Sequence, residues 1–287
     1  LFWFNCDDNQ LTSLDVSQNT ALRTLYCRDN QLTSLNLGQN LTSLRYLYCS
    51  GNQLTSLNVT NNTALEGLRC GNNQFTSLDV SQNDTLLSLS CVNLQLTYLD
   101  ITNNTDLKYL SCGGNQLTSL DLSQNSVLEE LYCSNNQLSS LDVSNNTNLG
   151  SFHCSDNQLT SLDVSQNSIL HSLICNNNQL TTLDVSQNSF LESLYCKDNQ
   201  LTSLDVKNGN NINFLAYYSN GILSHFGFST LNNPNLSCIN VDNSIFSTIN
   251  WTNIDPQHYF SNNCSVTSVE ENSSRKELLK VTDLLGR

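Results

Sequence analysis

Ten cysteines recur along this chain at an almost constant spacing, which restricts the possible folds more than any other feature. Eight of the nine intervals are 21 residues long and one is 22. The ladder consists of Cys6, Cys27, Cys49, Cys70, Cys91, Cys112, Cys133, Cys154, Cys175 and Cys196. A fixed period of about 20 to 50 residues is typical of repeat proteins, in which each unit packs only against its neighbours. The spacing therefore predicts a stack of similar units.

Each unit reads L-x-x-L-x-C-x-x-N-x-L, followed by T-x-L-D-V-S-x-N-x-x-L. Both halves place apolar residues two positions apart, as in Leu25 and Cys27 or Leu35 and Leu37, and this alternation predicts two short strands. Only five or six residues separate the strands, which is too short for an ordinary helix. We predict a β-rich solenoid of about ten 21-residue units, with extended segments on both sides and few or no helices.

Asparagine occupies two further columns of the repeat. One contains Asn30, Asn52 and Asn136, and the other contains Asn62 and Asn146, together with their equivalents in most units. Asn tolerates left-handed backbone and bonds the unpaired groups of a tight turn, so we expect both columns to hold turns. Leu94 interrupts the first column in the fifth unit.

The first half of the unit matches the leucine-rich repeat signature, with Cys in place of the third Leu. Over residues 1–207, the period, the Cys position and the LDVSxN half resemble the cysteine-ladder repeats of the bacterial internalins. The resemblance implies a surface-exposed protein whose repeat face binds a host or environmental glycoprotein.

The ladder cysteines are predicted to be buried thiols. Equivalent residues on adjacent strands lie about 4.8 Å apart, which exceeds the usual Cβ separation of about 3.5 to 4.5 Å in a disulfide. No His accompanies them at ligand spacing, so no metal site is expected. We interpret them as small core residues.

Cys238 and Cys264 lie outside the ladder, in a segment that has lost the repeat and is rich in aromatic residues. An end of a solenoid needs a cap to cover its apolar core, and this segment suits that role. We predict that the two cysteines form a disulfide that closes the cap; free thiols are the alternative.

These features divide the chain into a repeat solenoid at 1–207, atypical last repeats and a cap at 208–264, and a charged tail at 265–287. The tail segment LLKVTDLLGR resembles the start of the sorting domain used by the type IX secretion system of Bacteroidota, which implies a secreted or outer-surface protein. The alternative is an amphipathic tail. Because the chain opens in the middle of a repeat, at LFWFNC, we interpret it as a mature or trimmed fragment.

The formal charge of −14 disfavours nucleic acid and anionic membrane surfaces as partners, since both need basic patches. No apolar run is long enough to span a bilayer. We expect a monomer without a cofactor, and no catalytic constellation stands out among the four histidines.

The outward positions of the Cys strand vary from unit to unit, whereas those of the other strand repeat Ser-Asp-Ser. Aromatic, Arg and His side chains favour a protein, glycoprotein or glycan ligand on the variable face. The candidate residues are Tyr26, Tyr46, Tyr48, Arg69, Tyr109, Glu130, Tyr132, His153 and Tyr195. Cross-strand stacking of the tyrosines is the alternative explanation.

Two further hypotheses follow from the same pattern. The Asp column could bind calcium, but single carboxylates on a flat face are better explained as solvated acids. The whole solenoid could also be a structural spacer that binds nothing and presents another domain.

Overall fold

The computed structural model describes residues 1–210 and 227–264, together with the backbone of a hairpin at Tyr217–Ser219 and Ile222–His225. The tail at 265–287, and with it the predicted sorting segment, lies outside the described residues. Within the described ranges, no helix is long and apolar enough to span a bilayer.

The Cys strands form one parallel sheet of eleven strands, in which each strand pairs with its equivalent in the next unit. We call it the Cys sheet. Its strands are Trp3–Asn5, Thr24–Tyr26, Tyr46–Tyr48, Gly67–Arg69, Ser88–Ser90, Tyr109–Ser111, Glu130–Tyr132, Ser151–His153, Ser172–Ile174, Ser193–Tyr195 and Phe228–Ser229. The predicted repeat solenoid is confirmed.

The second half of each unit forms the opposite side of the stack, which we call the Asp side. Its strands are Ser13–Asp15, Ser34–Asn36, Thr182–Asp184, Ser203–Asp205, Cys238–Asn240 and Tyr259–Ser261. Between residues 37 and 181, a fully described range, this side has no strand. The expectation of a strand in every unit is thus wrong for the middle of the stack.

Hydrogen bonding explains the difference between the two sides. In the middle units the Asp side retains single bonds between neighbours, such as Gln116 N to Leu96 O at 2.8 Å, while the Cys sheet is continuous. A continuous ladder holds neighbouring strands about 4.8 Å apart along the whole Cys sheet.

The core between the two sides consists of Leu, Val and the ladder cysteines. Nine of the ten ladder cysteines are fully buried, and Cys6 is partly exposed. Cys6 belongs to the first unit, so a neighbouring unit packs against it on one side only. Burial raises the pKa of the Cys49 and Cys112 thiols to about 12.

Thiol titration with an Ellman-type reagent checks this arrangement. We expect Cys6 to react in the native protein, while the other nine ladder thiols react only after a denaturant is added, because they are excluded from water. Rapid reaction of several ladder thiols in the native state would contradict the buried ladder.

The first Asn column joins three backbone groups from two units. Asn136 Nδ2 donates to the carbonyl oxygens of Cys112 and Cys133 at 3.1 and 3.0 Å, and its Oδ1 accepts from the Leu117 N–H at 3.0 Å. The second column also bonds backbone groups of neighbouring units: Asn146 Nδ2 donates to the carbonyls of Leu122 and Asn125. The predicted role of Asn in the turns is confirmed.

Leu94 shows how the stack tolerates a missing Asn. Leu94 is fully buried, and Asn115 Oδ1 in the next unit accepts from the N–H groups of both Leu94 and Leu96 at 3.1 and 3.0 Å. The neighbouring Gln95 takes a positive φ of 64°. One asparagine therefore serves two donors where the column is broken.

Residues 227–264 continue the solenoid, although their sequence no longer shows the repeat. Phe228–Ser229 extends the Cys sheet, and Asn233 repeats the ladder contacts by donating to the carbonyls of Cys196 and Thr230. Since Thr230 replaces the Cys and the spacing has changed, the pattern is hard to see in the sequence.

The end of the stack is covered by a short helix, Ser244–Asn250, and by aromatic packing. The ring of Trp251 lies 4.3 Å from that of Phe228 and 5.5 Å from that of Phe260. A disulfide joins Cys238 to Cys264 next to this cap, with the Cα atoms 5.7 Å apart.

Candidate ligand-binding face

Strand alternation decides which side chains of the Cys sheet reach solvent. In the strand Tyr46–Tyr48, Leu47 is fully buried, while the tyrosines on either side of it point outward. We call the outward residues of the first ten Cys strands the Tyr face. It comprises the first and third residue of each strand, from Trp3 to Tyr195.

The Tyr face has a distinctive composition. Of its twenty positions, six are Tyr and six are Ser, while Arg69 and Glu130 are its two residues with a full charge at neutral pH. The chain as a whole carries a net charge of −14. Most acidic residues therefore lie elsewhere, and the Tyr face is almost neutral.

Four aromatic residues form a cluster at the N-terminal end of the Tyr face. The parallel register places Tyr26 opposite Tyr48, with ring centroids 4.8 Å apart. Trp3 lies 6.0 Å from Tyr26, and Tyr46 stacks on Tyr48 at 6.4 Å. Because they pack on one another, their rings are held in place before any ligand binds.

Two arginines flank this cluster. Arg69 lies over the Tyr48 ring at 5.5 Å, as the register predicts. Arg28, which the sequence analysis missed, lies over Tyr26 at 5.4 Å and forms an ion pair with Asp7 at 2.6 Å. Its position directly after Cys27 gave no reason to expect it beside the outward tyrosines.

A second polar network fixes Tyr46. Its hydroxyl donates to Glu66 Oε2 at 2.5 Å, and Arg45 pairs with Glu66 at 3.0 Å. The bond to Glu66 is the main cause that raises the pKa of Tyr46. Tyr46 therefore stays protonated at physiological pH and presents a fixed ring.

The next two units carry small side chains. Gly67, Ser88 and Ser90 follow the aromatic cluster in successive strands, and Ser111 continues the row. A Cβ atom added to Gly67 would lie 2.9 Å from Cδ1 of Tyr46, so glycine makes room for that ring.

A second aromatic cluster follows, made of Tyr109, Tyr132 and His153. The Tyr132 ring lies 5.5 Å from Tyr109 and meets His153 edge-on at 4.8 Å. The Tyr132 hydroxyl donates to Glu130 Oε2 at 2.7 Å, and Ser151 Oγ lies 3.3 Å from the hydroxyl. Glu130 is thus occupied within the face.

Burial lowers the pKa of His153, so its imidazole is neutral at physiological pH. Its Nε2 lies 3.3 Å from Ser172 Oγ. Tyr195 lies two strands further on, after Ile174, and belongs to neither cluster. The structure therefore brings eight of the nine predicted residues into two groups, and Tyr195 lies two strands beyond the second group.

The Asp side has a structural function that the sequence analysis did not foresee. Asp121 Oδ1 accepts from the Ser123 backbone N–H at 2.9 Å, and Asp142 Oδ1 accepts from that of Ser144 at 2.9 Å. These bonds lower the pKa of both carboxyl groups. Each Asp thus closes a turn after the extended segment.

Among the described residues, no three His, Cys, Asp or Glu side chains converge as metal ligands would.

Comparisons with known proteins agree with this geometry. The model of the family "Leucine Rich repeats (2 copies)" matches residues 20–62 and 42–83. The fold is that of a leucine-rich repeat protein. A comparison with curated protein sequences finds no match.

Solved structures give a more extensive likeness. The functional domain of InlJ from Listeria monocytogenes, described as including a cysteine ladder, is 35% identical with a TM-score of 0.73, over 91% of this chain and 57% of that one. A Leptospira interrogans leucine-rich repeat protein is 30% identical with a TM-score of 0.66, over 69% of this chain and 55% of that one. This leucine-rich repeat chain thus spans little more than half the length of either.

The leucine-rich effector protein YopM from Yersinia pestis is also similar. It is 25% identical with a TM-score of 0.61, over 84% of this chain and 68% of that one. The comparison with InlJ supports the predicted resemblance to internalin-type repeats. The sorting segment remains a prediction.

Proposed function

We propose that this chain is a secreted or cell-surface recognition module that binds a protein or glycoprotein through the Tyr face. The observation that carries the proposal is the composition of that face, which is rich in Tyr and Ser and almost free of charge. Antibody paratopes have the same composition, because Tyr supplies large contacts at low entropic cost and Ser supplies adaptable hydrogen bonds.

The packing of the two aromatic clusters supports the same proposal. Rings that are already in contact lose little freedom on binding, and preorganisation of this kind strengthens a complex.

The location is a proposal that rests on two observations. InlJ carries a comparable cysteine ladder. The Cys238–Cys264 disulfide suits an oxidising compartment, where such bonds persist. In this proposal residues 1–207 recognise the ligand and 208–264 cap the stack.

Replacing Tyr26, Tyr48, Tyr109 and Tyr132 together by Ser tests the proposal. We expect binding to a glycan and glycoprotein array to weaken by at least about 100-fold, because central aromatic residues dominate interface energies. The matched control is Tyr98→Ser, which removes an exposed tyrosine from the Asp side and is expected to bind as the wild type does.

Circular dichroism and the thermal midpoint show whether the quadruple variant still folds. A folded quadruple variant that binds the array as the wild type does would overturn the recognition function. That outcome would favour the alternative of a structural spacer.

A further inference from the structure

A cavity of about 570 Å³ opens at the carboxyl end of the Cys sheet, in the fifth to seventh units. Tyr132 and Val92 provide its apolar walls, and Ser111 and Ser134 contribute hydroxyl groups. Its volume lies within the range of small-molecule sites, about 300 to 1,000 Å³. It shares Tyr132 and Ser111 with the Tyr face and extends into the turns that follow the strands.

Two glycines follow Cys112 and line the cavity. Gly113 and Gly114 occupy the positions that most other units fill with side chains such as Ser134 and Asn135. Gly114 has a positive φ of 67°, and Asn93 Oδ1 lies only 1.8 Å from the point where a Cβ of Gly114 would stand. Backbone therefore forms the floor, and Asn93 reaches across it.

The Tyr132 wall is rigid. Its ring is fixed between Tyr109 and His153, and its hydroxyl is bound to Glu130. A fixed aromatic ring offers a flat apolar surface with no further ordering cost on binding.

The polar groups of the cavity are uncharged. Asn93 Nδ2 donates to Asn72 Oδ1 at 2.9 Å, and this bond fixes the amide so that its Oδ1 lies over Gly114. The hydroxyls of Ser111 and Ser134 and the Asn135 amide complete the lining. A charged ligand would find no opposite charge here, and a wholly apolar one would leave these groups unpaired.

A pyranose ring meets both requirements, because it has an apolar face for an aromatic ring and a rim of hydroxyl groups for amides and hydroxyls. We propose that this cavity is a subsite for one uncharged sugar residue of a glycan. The proposal rests on the proposed function and specifies that part of the ligand is carbohydrate.

The test uses the 287-residue protein and the methyl glycosides of glucose, galactose, mannose, N-acetylglucosamine and N-acetylgalactosamine. Saturation-transfer NMR and titration are expected to show weak, saturable binding of at least one glycoside. Ser134→Gln, which fills the cavity without removing a side-chain hydrogen bond, is expected to weaken that binding at least about tenfold. Ser50→Gln, at the same position of a unit outside the cavity, is expected to change nothing.

Absence of saturable binding by any of the five glycosides would overturn the subsite, and so would equal binding by Ser134→Gln and the wild type. Enzymatic deglycosylation of a glycoprotein selected from the array separates the two proposals. If the deglycosylated protein binds as before while the quadruple Tyr variant does not bind it, the subsite is wrong and the proposed function stands. If the quadruple variant binds the intact glycoprotein as the wild type does, the proposed function fails.

Discussion

Raising the pH from about 8 to about 10 is expected to unfold the solenoid, because the unfolded chain then releases protons that the folded chain retains. Burial raises the pKa of the Cys49, Cys112 and Cys175 thiols from 9.0 to about 12, and raises the pKa of the other buried ladder thiols as well. A raised pKa stabilises the fold fully below the unfolded value and less as the pH rises towards the folded value. The loss therefore begins near pH 9 and continues to about pH 12.

The expected effect is large because nine thiols act together. One pH unit above the unfolded pKa, each buried thiol contributes a loss of about 1.4 kcal/mol. Nine of them remove on the order of 12 kcal/mol, which is comparable with the whole stability of an ordinary domain.

Urea unfolding followed by circular dichroism across this pH range, under reducing conditions, measures the effect. Cys133→Val is the comparison variant, because it removes one titrating thiol while keeping an apolar core residue. The free energy of unfolding of this variant is expected to fall less steeply with rising pH. The difference in slope corresponds to about one bound proton. Thiolate absorbance from most of the ladder in a protein that keeps its full native signal would show that the thiols are not buried.

Asn136→Ala is expected to lower the free energy of unfolding by about 2 kcal/mol. The substitution leaves the buried N–H of Leu117 without a partner. It also removes one of the two donors to each of the Cys112 and Cys133 carbonyls, which keep their bonds from Asn115 and Asn157. Each buried polar group that loses its partner costs about 1 to 3 kcal/mol. Chemical denaturation of the purified variant measures the change.

The control for this prediction is Asn148→Ala, since Asn148 is an exposed asparagine of the adjoining loop. A surface change of this kind is expected to stay within about 0.5 kcal/mol of the wild type. Equal effects of the two substitutions would contradict the role of the Asn column. Because repeat proteins can unfold in parts, two spectroscopic probes should be compared for each variant.

The period of the sequence was sufficient to predict the stack, the buried ladder and the outward tyrosines. Parallel pairing at a constant interval places equivalent residues side by side, so the contact between Tyr26 and Tyr48 follows from the spacing alone. The Asn turns were predictable for the same reason, because Asn is suited to turns by its own chemistry.

Other features depend on side chains that leave the strand or on changes in spacing. Arg28 reaches the tyrosines from the turn after its strand, and no periodic pattern encodes that reach. An Asp that closes a turn looks the same in the sequence as an Asp exposed on a sheet, so the function of Asp121 was missed. The cavity is lined by residues of three units that depart from one another in sequence, and a repeat pattern does not indicate where such a cavity forms.

Hydroxyl-radical footprinting of the protein, with and without a glycoprotein selected from the array, tests the central claim most directly. Tyr26, Tyr48, Tyr109 and Tyr132 are expected to be oxidised more slowly in the complex, because the ligand covers the Tyr face. Tyr98, which is 66% exposed on the Asp side, serves as an internal reference and is expected to react equally in both states. Protection of Tyr98 without protection of the other four would place the ligand on the wrong side of the solenoid and contradict this account.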